Sequence, residues 1–481
     1  MLERLADHSD SGHRFTDTSA RPGRVLNNPA VQRRLYGVED SRTGPRQTAF
    51  SPQHAQATSK EQAKSLAKYS RYRNRAVWAQ ALVLFNVVGI PLSHGVYLEY
   101  YFAVQHSGSR LSALSIIPAI QIFTIMSIPG LVGWVYHWRG RRSGWKIMFF
   151  IAGGIAVCAQ LPLQWAKSYG LTLILQGPVL GIALGTLFTL STLVLSSHHR
   201  YNLPLVSMQS GFMGFLGAVV YAFVARQGLA IHNCYAPAAT AGIMAGTLVT
   251  ALWLLHRIKN NDAPPRTKIG MKLPQSLGKI MKEEGTMCFV LGYILVFYSI
   301  FTPPIYLVVL LTQTPALFAP DLGTLALITC LGTAAVSASI SANPIVRRRI
   351  GPVNTIIAAC ILAGAASVLP AFIPYLWLTL VSAGVYGIGL GAVTALHIKT
   401  TTVFHAEKAV SHPDMPARAA MMMALGGVSA SAGILVSAVL MENVRNGVRF
   451  ALGVAGGCLV GGGVLIAVAR WRRCAKFRIA I

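Results

Sequence analysis

The stretch GVYLEYYF, residues 95–102, sets a carboxylate, Glu99, near the end of a long apolar run. The chain has only 15 acids, and no other one falls inside a hydrophobic segment. Charge inside a bilayer is costly, so such an acid is expected either to do chemistry or to mark a rim. His94 lies about one helical turn before it, and imidazole titrates near neutrality, so His94 and Glu99 are candidates for proton traffic or gating. Counted from Arg75, Glu99 stands about 36 Å along a helix, beyond a hydrocarbon core about 30 Å thick. Tyr97, Tyr100, Tyr101 and Phe102 surround it as an interfacial aromatic belt would. Depth therefore reads Glu99 as a solvated rim acid, with a carboxylate at the mouth of a cavity as the alternative.

The same ruler finds polar residues at mid-depth, about 15–18 Å in: Asn86, Gln121, Tyr298 and Tyr386. A polar group facing lipid costs energy unless it is bonded, so all four are expected to face the interior. There they either line a substrate cavity or bond one helix to another. No ionisable residue occupies the middle of any apolar span. An unpaired buried charge is costly, so a site for a small anion would supply a cation. The expected substrate is a small organic molecule with substantial apolar surface, held by neutral hydrogen bonds and aromatics.

These residues are positioned by the elements that surround them. Of 481 residues 53% are hydrophobic and 12% charged, where a soluble protein carries about 25% charge. From residue 76 onward, apolar stretches long enough to cross a bilayer follow one another. The fold class is an all-α polytopic membrane protein with twelve transmembrane helices, at roughly 76–101, 111–136, 145–165, 169–195, 204–226, 234–256, 286–312, 321–343, 352–372, 375–398, 418–440 and 447–469. Residues 1–75 read as a disordered basic tail, 76–256 as a first six-helix half, 257–285 as a basic central loop, 286–470 as a second half, and 471–481 as a basic tail. Of the 42 lysines and arginines, all but Arg110, Lys167, Arg226, Arg445 and Arg449 fall on the side of the two termini. Positive charge gathers on the cytosolic side, so both termini and the central loop are expected there.

That placement, between spans rather than on a soluble basic face, argues against nucleic-acid binding despite the net charge of +27. The seven cysteines are unpaired in spacing and lie mostly in apolar spans, so no disulfide framework, metal site or cofactor is expected. No apolar run opens the chain, so no cleavable signal peptide is expected.

Glycines recur at four-residue steps, as at Gly177, Gly181 and Gly185, which lets helix backbones approach closely. Pro91, Pro178 and the pair Pro303–Pro304 interrupt spans one, four and seven. Broken spans at matching places in the two halves point toward a transport site.

The connection after span two reads GWVYHWRGRR, residues 133–142. It resembles the signature of the major facilitator superfamily: Gly133, Gly140, Arg141 and Arg142 match, while His137 and Trp138 replace an Asp-Arg pair. Within that superfamily GVYLEYYF, SALSIIPAIQIF (112–123), SSHHRYNLPLVSMQSGFMGFLGAVVY (196–221) and MPARAAMMMALGGV (415–428) resemble segments of fungal monocarboxylate-porter-like members. The resemblance implies secondary transport by alternating access, a monomer that works in the lipid bilayer, proton coupling as one option, and a gating role for the 133–142 connection. The relatives with proton coupling carry a lysine in span one and an Asp-Arg pair in span eight; this chain has neither. Several relatives serve secondary-metabolite pathways, which makes a monocarboxylate-like or amphipathic metabolite or its precursor the expected cargo.

Two alternatives stand beside transport: a membrane-embedded enzyme and a non-transporting nutrient sensor on the same scaffold. Intramembrane catalysis needs convergent acids or histidines, and the 13 histidines are scattered. The plasma membrane is the expected location, with a peroxisomal or vacuolar membrane as the alternative.

Overall fold

The computed structural model describes residues 71–139, 144–198, 203–231, 235–256, 284–313, 320–372, 375–404 and 415–473. The tail up to residue 70, nearly all of the central loop, the C-terminal tail and the motif residues Gly140, Arg141 and Arg142 lie outside them. The described residues form twelve helices long and apolar enough to span a membrane. In chain order these are α1 (Arg71–Gln105), α2 (Leu111–Tyr136), α3 (Gly144–Gln164), α4 (Tyr169–Ser196), α5 (Gly211–Ala230) and α6 (Tyr235–His256). After the central loop come α7 (Thr286–Thr312), α8 (Asp321–Ser341), α9 (Pro352–Pro370), α10 (Leu376–Thr401), α11 (Arg418–Asn443) and α12 (Gly447–Arg473). Span one is longer at both ends than its apolar run, because its first turn carries Arg71, Arg73 and Arg75 and its last turn carries Gln105.

Small residues set the packing. Gly181 and Gly185 bring α4 against α2 so closely that a Cβ at either would stand 2.9 Å from the Gln121 oxygen or 3.0 Å from the Ile125 oxygen. Gly364 and Gly456 do the same between α9 and α12, each facing the other's carbonyl. Without water to drive helices together, such contacts supply dispersion energy that bulkier residues would block.

Two spans are broken where they meet the middle of the bundle. In α1 the helix interrupts at Val88 and resumes over Gly89–Tyr100, with Pro91 just inside. In α7 it runs over Thr286–Ile300, interrupts at Phe301 and resumes over Thr302–Gln313. Pro303 and Pro304 have no N–H to give, which frees the carbonyls one turn before them. The Ile300 oxygen recovers a partner, accepting 2.8 Å from the Tyr386 hydroxyl on α10. Pro178 in α4 is accommodated differently, inside one wide turn at Leu175–Val179.

Candidate functional site

The two breaks in α1 and α7 face one space. Val88 and Phe301 both line a cavity of about 160 Å3, with further walls from α2, α4, α5, α8, α10 and α11. Its residues on α5, α8, α10 and α11 (Gly211, Ala338, His397 and Met423 among them) sit toward the ends of those helices nearest the chain termini. The wall is apolar and rich in rings and sulfur: Phe188, Phe215, Phe297, Phe301, Met126 and Met423 all contribute. Thr394 and His397 are the polar side chains of the described wall.

An aromatic ladder runs down α7 to this space. Phe289, Tyr293, Phe297 and Phe301 follow one another at four-residue steps, which puts them on one helix face. Phe297 stacks on Tyr293 with centroids 4.3 Å apart and meets the His397 ring edge-on at 5.5 Å. His397 itself is fixed by a 2.6 Å bond from Nδ1 to the Thr394 carbonyl.

The opposite end of the bundle is closed. A Cβ on Gly95 of α1 would stand 2.8 Å from the Pro304 oxygen of α7. The Ser112 N–H, at the start of α2, donates to Glu442 of α11 at 2.9 Å. Arg226 of α5 reaches Asp321 of α8 at 3.0 Å and Glu99 of α1 at 4.0 Å. The Glu99 side chain retains 15% exposure and that of Asp321 86%, so Glu99 has less water to fall back on than Asp321.

Glu99 is therefore no solvated rim acid. It is half-buried beside a guanidinium, because α1 continues as a helix past it to Gln105 and α5 delivers Arg226 alongside. His94 is almost wholly buried, lies 6.4 Å and 6.3 Å from the rings of Tyr97 and Tyr101, and offers neither ring nitrogen to a partner among the described residues. It is not part of the cavity wall.

The four mid-depth candidates are not brought together. Asn86 turns into the first six helices, donating to Thr247 at 2.9 Å and accepting from the Tyr221 hydroxyl. Gln121 is fully buried on α2 with both amide atoms unpartnered among the described residues. Tyr298 is partly exposed, and its backbone carbonyl packs against Gly433 of α11. Tyr386 caps the α7 break and lines a second, smaller cavity of about 70 Å3 within the last six helices. Gly133 is buried in α2. None of the four lines the larger cavity. Of the residues that do, Phe297 and Phe301 show in sequence only as part of the four-residue aromatic spacing of span seven, and His397 only as a histidine near the end of span ten.

Solved structures share this fold. The human organic anion transporter MFSD10 (TETRAN) matches with a TM-score of 0.54 at 15% identity, over 83% of this chain and 99% of that one. The nucleoside transporter NupG matches with a TM-score of 0.58 at 14% identity, over 82% and 99%. A variant of the E. coli fucose:proton symporter FucP matches with a TM-score of 0.58 at 13% identity, over 83% and 98%. The fold is that of the major facilitator superfamily. In sequence, 153 residues are 27% identical to the MFS-type transporter eupM of Phoma sp, covering 31% of this chain. The chain thus spans about half the length of that curated relative, at 53%. No family model matches. A major facilitator fold makes the protein an integral, multi-pass membrane protein.

Proposed function

We propose that the protein is a secondary transporter that carries a small, largely apolar organic molecule across a membrane by alternating access. The observation that carries this reading is the apolar cavity between the two sets of six helices, with the described bundle packed together on the far side of it. An apolar cavity lies toward the terminal side, and the far side is shut by α1 against α7 and by the Glu99–Arg226–Asp321 contacts. A binding space reachable from one side at a time is what rocking of two repeats about a central site requires. The resemblance to eupM and to solved small-molecule transporters supports the same reading. The basic side that bears the termini is the cytosolic one by its charge, and the plasma membrane is the default location. The protein works as a monomer, and coupling to protons is an option that Glu99 and His94 leave open.

The test is metabolite profiling, cells against medium, of a strain lacking the gene and of that strain with the gene restored. We expect one or a few apolar compounds to shift between the compartments and to shift back on restoration. Identical distributions in all strains, with the protein present in the membrane of the restored one, would sink the reading.

A further inference from the structure

The cavity wall specifies more about its cargo than apolarity. We propose that His397 is the polar anchor of this cavity, and that the cargo is an apolar, ring-bearing molecule carrying one hydrogen-bond donor. This inference rests on the transporter reading of the same cavity.

The argument turns on which way each polar wall group points its hydrogens. The Thr394 carbonyl can only accept, and His397 Nδ1 stands 2.6 Å from it, so Nδ1 carries the ring proton. In the neutral ring Nε2 is then a bare acceptor. It has no partner among the described residues, and unlike both nitrogens of His94 it is not sealed from open space. The Thr394 hydroxyl spends its hydrogen on the Leu390 carbonyl at 2.8 Å, which leaves only lone pairs to face the cavity. Both polar groups of the described wall are thus acceptors, and both ask for a donor. Everything else the wall presents is hydrocarbon, ring face or thioether.

Geometry adds shape to this chemistry. Phe297 meets the imidazole edge-on at 5.5 Å and stacks on Tyr293 behind it, so the ring of His397 is held in one orientation. Phe301, Phe188 and Met126 offer the surfaces on which a flat apolar body would rest. A hydroxyl or N–H on such a body, placed at Nε2, would gain a hydrogen bond there. A fully apolar analogue would leave Nε2 unpaired, which is how a site of this kind rejects it.

The test uses purified protein and two matched probes, 2-naphthol and 2-methoxynaphthalene, which share the rings and differ in the donor. Calorimetric titration of the parent should show 2-naphthol binding roughly 2- to 13-fold more tightly, the factor for one hydrogen bond. His397→Asn keeps a donor toward Thr394 but has no atom at the Nε2 position; it should bind both probes equally and 2-methoxynaphthalene as the parent does. His397→Gln restores an acceptor that reaches the cavity and should keep part of the preference. Equal binding by the parent, or a preference that survives in His397→Asn, would overturn the anchor. If His397→Asn binds neither probe, His397→Gln decides: a kept preference supports the anchor and parity overturns it. A parent that shows the preference yet moves no compound in cells would fell the transport reading and leave the anchor standing.

Discussion

The first six helices and the last six are held together by different means. In α1–α6 one polar side chain meets another across a helix boundary: Tyr221 and Thr247 on Asn86, Gln160 on Thr240, Tyr101 on Gln176. In α7–α12 the helix-to-helix bonds run mainly from a hydroxyl to a backbone carbonyl. Tyr306 reaches Ile434, Thr333 reaches Gly384, Ser337 reaches Ile388 and Tyr386 reaches Ile300. A bond between two side chains depends on both identities. A bond to a backbone carbonyl depends on how near the other helix comes, and there glycines set the distance. The two halves should therefore fail in different ways.

The largest effect is expected where glycine sets the spacing. Gly364→Val would put its Cβ 2.8 Å from the Gly456 oxygen and 2.6 Å from Val460. Neither helix can give way without losing its own contacts, so we expect a loss of about 1–3 kcal/mol or more, read as a lower melting temperature in detergent. Gly246→Ala in α6 is the control, since a Cβ there meets nothing within 4 Å. Equal losses at the two sites would mean that close approach at a glycine does not set the cost.

Next comes the side-chain network of the first six helices. Asn86→Leu leaves the Tyr221 hydroxyl and Thr247 without a shared partner and should cost about 1–3 kcal/mol. Tyr221→Phe, which removes one bond from the same residue, should cost about 0.6 kcal/mol. A double-mutant cycle should show the two to be coupled; strictly additive losses would mean that the network is only a packing arrangement.

The smallest effect is expected where the halves meet. Arg226→Gln removes both ion pairs at the closed end, and partly exposed pairs are worth about 0.2–1 kcal/mol. A cysteine at Val88, in a protein otherwise free of cysteine, should then be labelled from the far side up to about 5-fold faster. Asp321→Asn should reproduce that increase, because Arg226–Asp321 is the pair that joins the first six helices to the last six, while Glu99 and Arg226 both belong to the first six. High salt should narrow the difference between parent and Arg226→Gln. Equal labelling at low salt would mean that α1 against α7 closes this end alone.

Helix number, order and approximate bounds were legible in the sequence because apolar length alone decides which segments can cross a bilayer. So was the place of Asn86 within α1. Direction was not. A helix apolar all round carries no stripe from which to read its inward face, so the ruler could not tell that Asn86 turns to Tyr221 and Thr247 and away from the cavity. The ion-pair partner of Glu99 was hidden for a related reason. Arg226 stood out as one of few cations on the far side, yet no spacing in the chain ties residue 226 to 99 and 321. His397 carries no signal of its own in the sequence beyond lying near the end of span ten, because its meaning depends on Phe297 from another helix.

The break in α7 has one further consequence. The carbonyl that Pro304 strips of its usual partner is capped by a phenol carried on α10, the helix that also bears His397. A hinge ordinarily swings free of its neighbours, but this one is latched to the helix beside it. Flexing α7 at Phe301 must either drag α10 along or unlatch a single O–H from a single oxygen. Tyr386 thus sets how stiffly one lever is geared to another, although it does not line the larger cavity.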